Sequence, residues 1–176
     1  MIALAPLRWE DGAELIEANR QSAELHHPWV RPCIDRDGFA AWFRRTQTGA
    51  LTALLARERA TGAVAGVVTL SGITGEPFQS AYLGYYANCV TSRRGFMTQA
   101  LAQACAWGFT ALNLHRLEAN IQPDNAASLA LVRRVGFRKE GFSPRYLFVA
   151  GAWRDHERWA LLADQPLDQP SDRGLR

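Results

Sequence analysis

Apolar positions along the chain follow two periods, and the switches between them mark the elements. Ile2, Leu4 and Leu7 suggest a first strand, after which Asp11-Gly12-Ala13-Glu14 resembles a capping box opening a helix that runs to about Ser22. Pro28 and Pro32 stop that helix, and a second is expected over 37–48 with Phe39, Trp42 and Phe43 facing inward. Residues 51–57, a Thr61-Gly62 turn and the β-branched run 64–70 read as an antiparallel hairpin, followed by a loop over 72–78. The aromatic-rich segment 81–86 is a strand. Met97, Leu101, Ala104, Cys105 and Gly108 then recur at helical spacing, which predicts a long helix from near Gly95 to near Leu112. Arg116–Ile121 predicts a strand, Pro123-Asp124-Asn125 a turn with a cap, and Ala126–Val135 a helix closed by a left-handed Gly136. Segments 137–142, 146–149 and 153–162 supply the last strands of an α/β fold.

The chain has 176 residues, which favours one domain, expected over 1–163, with 164–176 as a flexible tail. Hydrophobic residues at 48% and charged residues at 21% permit a packed core and exclude disordered, collagen-like and coiled-coil classes. No apolar run approaches the ~18 residues of a membrane span, and the first residues lack a basic stretch leading into an apolar one. The expected location is therefore the cytoplasm, with no membrane partner. Cys33, Cys89 and Cys105 are too few for a disulfide framework and too scattered for a metal site, so no metal is expected. Basic residues number 20 against 17 acidic ones, and Lys139 is the sole lysine. Arginine suits an anionic ligand through its planar fork, although arginine-rich coding explains the bias as well. Without a basic run, direct nucleic-acid binding is not expected.

The most informative stretch is Ser92-Arg93-Arg94-Gly95-Phe96-Met97, where a glycine turn leads from a strand into a helix. The first N–H groups of such a helix lack intrahelical partners and can hold a phosphate. A turn of this kind more often serves chain reversal alone, and the spacing fits neither a Walker loop nor the three-glycine dinucleotide fingerprint.

Five further segments accompany that turn: Leu83-Gly84-Tyr85, Leu114-His115-Arg116-Leu117-Glu118-Ala119, Pro123-Asp124-Asn125-Ala126-Ala127-Ser128, Val135-Gly136-Phe137-Arg138-Lys139-Glu140-Gly141 and Gly151-Ala152-Trp153-Arg154-Asp155-His156. Together and in this order they resemble the GNAT acetyltransferase superfamily, in its RimJ/RimL type, the bacterial acetyltransferases of protein N-terminal alanine and serine. The resemblance covers residue 2 to about 162. It implies a central mixed, mostly antiparallel sheet splayed between its fourth and fifth strands and flanked by about four helices, with acetyl-CoA in the gap and no metal. It places the pantetheine amides near Tyr86 and Ala87 and the pyrophosphate on the N–H groups of residues 94–97. Ser92 and Arg93 depart from the usual Gln or Arg followed by Gly, so a β-carbon at Arg93 implies a reshaped loop or weaker binding, and Cys89 stands where a proline is usual.

For the transfer itself, a backbone N–H near Tyr86 or Ala87 would polarise the thioester carbonyl. Asn125 is read both as helix cap and as the residue orienting the cofactor arm. Ser128 matches the residue whose hydroxyl lies near the thiol, or is a small residue tolerated on a helix. Tyr146 could protonate the leaving thiolate, though packing is its more usual role. His26, His27 and Trp29 lie where the family builds an acceptor wall, with Trp29 the best placed, while two adjacent histidines on a loop are more often solvent-exposed and idle. Asp155 and His156, adjacent in a strand, point to opposite faces and are read as structural, and Glu118 as pairing with an arginine across the sheet. The implied reaction is direct acetyl transfer to a primary amine, above all the N-terminal Ala or Ser of a protein such as a ribosomal protein. A small-molecule amine such as an antibiotic or polyamine, or a non-catalytic role in anion or nucleic-acid binding, are the alternatives. The oligomeric state is unspecified.

Overall fold

The computed structural model describes residues 1–165. In chain order the elements are β1 (Ile2–Pro6), α1 (Gly12–Gln21), α2 (Ala23–His26), α3 (Arg36–Gln47), β2 (Leu51–Glu58), β3 (Val64–Thr74), β4 (Ser80–Ala87), α4 (Phe96–Ala111), β5 (Arg116–Ile121), α5 (Ala126–Val135), β6 (Arg138–Val149) and β7 (Ala152–Leu162). The strands form one sheet in the order β1-β2-β3-β4-β5-β7-β6. Every pairing is antiparallel except β4 with β5. Five helices flank the sheet among the described residues, the one beyond expectation being the single turn α2. None is long and apolar enough to cross a membrane. The expected tail over 164–176 lies almost wholly outside the described residues.

Near-continuous apolar runs build the central strands because both faces of the sheet are covered. Leu54 and Ala56 of β2 and Val68 and Leu70 of β3 pack beneath α4 and α5, with Leu101, Ala104, Leu129 and Val132. Their alternating neighbours Ala53, Leu55 and Val67 pack with Leu15, Ala18 and Phe39 of α1 and α3. Period two thus splits one hydrophobic run between two cores.

Several boundaries differ from the sequence reading. Asp11 does not cap α1; its Oδ2 accepts from Arg8 N at 2.8 Å at a 3-10 turn over Trp9–Asp11, and its Oδ1 accepts from Arg57 Nη2 at 2.9 Å. β3 continues to Thr74, which shortens the expected loop. The expected strands 137–142 and 146–149 are one edge strand, β6, with a register slip between Ser143 and Leu147 that admits Pro144. Arg145 sits there at φ 47°, and its N–H donates to Asp155 Oδ1 at 2.7 Å. Glu118 pairs with Arg116 along its own strand at 2.8 Å, not across the sheet.

Candidate functional site

β4 and β5 pair only from Ser80–Leu83 against Arg116–Ala119; beyond that point β5 follows β7 and β4 follows β3, and the sheet splays. Asn88 N–H donates to Ala65 O at 2.9 Å, in register with the β3–β4 ladder. Amides alternate in direction along a strand, so Gly84 and Tyr86 also turn toward β3, while Tyr85 and Ala87 turn toward the gap. The expected polarising N–H near Tyr86 or Ala87 thus falls to Ala87, with Tyr85 as the second gap-facing amide; that of Tyr86 is engaged by β3. Ala87 O already accepts from His26 Nε2 at 2.8 Å, so the α2 turn is strapped to the splayed strand.

Two cavities meet across the splay. The larger, about 480 Å³, is lined by residues of the α2 segment, the end of β4, the 92–98 turn and α5. The smaller, about 170 Å³, lies toward β5 and β7. Trp29, Val30, Tyr85, Asn125 and Ser128 border both.

Of the sequence-predicted residues, Ser92, Arg93, Gly95, Phe96, Met97, Asn125, Ser128, Tyr86, Ala87, His26 and Trp29 line the larger cavity. Arg94, His27 and Tyr146 line neither cavity. Arg94 bonds instead to Glu58, with Nη1 to Oε2 at 3.0 Å, and its guanidinium lies 4.6 Å over the Phe96 ring. This holds the Glu58 carboxyl below the usual carboxylate range. Arg93 takes φ 61° and Gly95 φ 74°, so the arginine accepts the left-handed backbone that glycine would adopt freely. A β-carbon at Gly95 would meet nothing within 4 Å, which leaves room beside the α4 N-terminus.

Asn125 caps α5, its Oδ1 accepting from Ser128 N at 3.1 Å. The Ser128 hydroxyl stands 2.6 Å from the Tyr85 hydroxyl. Burial pushes the Tyr85 phenol far up, so it keeps its proton and stays a neutral hydrogen-bond partner for the Ser128 hydroxyl. Burial also lowers the His26 imidazole, against the opposing effect of its bond to Ala87. Tyr146 packs on the His156 ring at 6.1 Å.

Asn120 and Gln122 reach the smaller cavity without having been singled out by sequence, as do Tyr85, quoted only within a motif, and His156, read as structural. Strand alternation put Tyr85 and Tyr86 on opposite faces, and only the position of α5 shows that Tyr85 is the one facing Ser128. His156 is 3% exposed and so lies inside the molecule, while Asp155, facing the other way, serves the β6 irregularity.

The site is a mixed sheet opened at its one parallel junction, with an amide-bearing strand edge and a helix N-terminus on one side. The chain belongs to the acetyltransferase (GNAT) domain family, whose model matches residues 2–138. It is similar to the ribosomal protein uS5-alanine N-acetyltransferase of Escherichia coli, 37% identical over 98 residues, covering 56% of this chain and 50% of that protein. The chain spans about half the length of the curated relatives it matches. Mycobacterium smegmatis RimJ, solved in complex with CoA-disulfide, is 31% identical with a TM-score of 0.80 over 92% of this chain and 82% of that one. A spermidine N-acetyltransferase from Vibrio cholerae, solved with CoA and spermine, shares the fold at 21% identity, with a TM-score of 0.77 over 92% of this chain and 95% of that one.

Proposed function

We propose that this domain takes acetyl-CoA in the larger cavity and transfers its acetyl group to the α-amine of a protein or peptide whose first residue is small, entering through the smaller one. The observation that carries this reading is the meeting of the two cavities at Tyr85, Asn125 and Ser128. The residues present fit the donor: free N–H groups at the start of α4 and the left-handed turn at Arg93 and Gly95 would hold its pyrophosphate. The gap-facing amides of Tyr85 and Ala87 would take its amide arm. Acetyl-CoA supplies an activated acetyl thioester when bound.

Three tasks then fall to this chain. The Ala87 or Tyr85 N–H polarises the acetyl carbonyl. Ser128, backed by Tyr85, delivers a proton to the leaving sulfur. Trp29 forms an apolar wall that excludes water around the acceptor. No Asp or Glu among the described residues lines either cavity and no arginine or lysine lines the smaller one, a surround that suits an α-amine titrating at about 7.7–8.0 better than a polycation. A ribosomal protein is one natural source of such a chain end.

The test is CoA release from a panel of peptides beginning with Ala or Ser, the same peptides blocked at the N-terminus but carrying lysine, and spermidine. The free N-termini should react fastest. Faster turnover of spermidine, or equal turnover of the blocked peptides, would replace this reading with small-molecule or lysine acetylation.

A further inference from the structure

We propose that His156 is the base that takes the proton from the acceptor ammonium, which makes it a catalytic residue of the transfer reading on which this inference rests. Its ring is held in one tautomer. Nδ1 lies 2.9 Å from Arg154 O, and since a carbonyl only accepts, Nδ1 carries the hydrogen. The neutral ring therefore keeps a lone pair on Nε2. That atom has no protein partner, yet it is not among the buried polar atoms sealed without one, which are His26 Nδ1 and Asn120 Oδ1 among the described residues. His156 borders the smaller cavity, on the side away from the phosphate-holding turn, and Tyr146 fixes its ring orientation.

The surroundings favour the neutral form. β5 and the residue just after its end bring the uncharged Asn120 and Gln122 to the cavity, β4 brings Tyr85, and α5 brings Ser128. Tyr85 is the other titratable group lining the cavity, and Tyr146 of β6 meets the ring from outside that lining; Asp155 lies on the opposite face of β7, while Arg154 and Arg158 share the His156 face, with Arg158 lying over Gly141. Burial lowers the imidazole from its ordinary value, opposed by the Arg154 carbonyl and the Asp155 charge.

The step balances as follows. His156 Nε2 takes one proton from R–NH3+, giving R–NH2 and an imidazolium. The amine lone pair forms the C–N bond to the acetyl carbon as the C–S bond breaks, and its second proton passes to the departing sulfur by way of Ser128. The imidazolium then releases its proton to solvent, so the products are the acetamide, CoA thiol and one proton.

Two measurements test this. In the free protein, 15N NMR of the His156 ring should show the Nδ1–H tautomer with a titration below the ordinary histidine value; an Nε2–H tautomer would overturn the proposal. In turnover, His156→Gln should slow an Ala-leading peptide about 10²-fold and move the acid limb of its kcat/KM profile up to the amine's own titration at about 7.7–8.0, while barely affecting the same peptide with an aminooxyacetyl cap, whose amine is already neutral. Equal losses on both acceptors, or an acid limb that stays in the same place in the variant, would overturn it. A parent protein that releases no CoA with any amine removes the transfer reading, and the proposal with it. Should His156→Gln fail to fold, the tautomer and the parent's acid limb decide.

Discussion

Ser128 and Tyr85 share one short hydrogen bond at the meeting of the two cavities, so removing either hydroxyl tests proton delivery directly. Ser128→Ala and Tyr85→Phe are each expected to lower kcat by about 10²-fold with acetyl-CoA affinity nearly unchanged, and the double variant should be no worse than the slower single one. Ser128→Ala should also cost about 1–3 kcal/mol of stability, because it leaves a buried phenol without its partner. Single-turnover kinetics and a denaturant titration read the two effects separately. Asn125, Ser128 and the 92–97 turn were legible because each sits in a local pattern, a cap or a glycine turn, whose geometry the neighbouring residues dictate. His156 was not. Alternation declares that it opposes Asp155, but the face it takes is decided by β5 pairing with β7, a contact made across 35 or more residues of chain.

α2 lies against the open edge of β4, its His26 Nε2–H donating to Ala87 O, and burial of the ring with Nδ1 left without a partner favours the neutral form. Burial lowers the His26 value relative to the unfolded chain, so the neutral ring contributes stability that is fully present above the ordinary histidine value near 6.5 and is lost as pH falls below it. Thermal melts across pH 5 to 8 should fall on the acid side, and His26→Gln, which can still donate to Ala87, should flatten that fall; an identical slope in the variant would detach His26 from it. Helices and strands at regular period were readable nearly to their ends. The departures share one cause, a carboxylate engaged by a partner that the helix and strand periods do not specify. Arg8 and Arg57 recruited Asp11 away from its expected cap, and Asp155 satisfied the amide that let β6 run on through Pro144 and Arg145.

For the molecule as a whole, ligand binding to the folded state alone should appear as heat resistance. At a hundredfold excess over its Kd, acetyl-CoA stabilises by about 2.7 kcal/mol, roughly 5–10 °C in Tm for a domain this size. An unchanged Tm would return the arginines to the anion-binding or nucleic-acid alternative. The overall fold was legible because six motifs in register are a far narrower constraint than any period, whereas the acceptor's chamber was not, being assembled from strand ends, a post-helical segment and a helix cap that meet only after folding. The splay also carries a hazard. Unpaired strand edges ordinarily recruit other chains and seed aggregation, and here two of them lie side by side. They are tolerable because the unpaired stretch of β4 is only the four residues beyond Leu83, and a histidine already covers its last carbonyl. The same shortness that guards against stray self-association limits the opening to a guest no longer than a few peptide units.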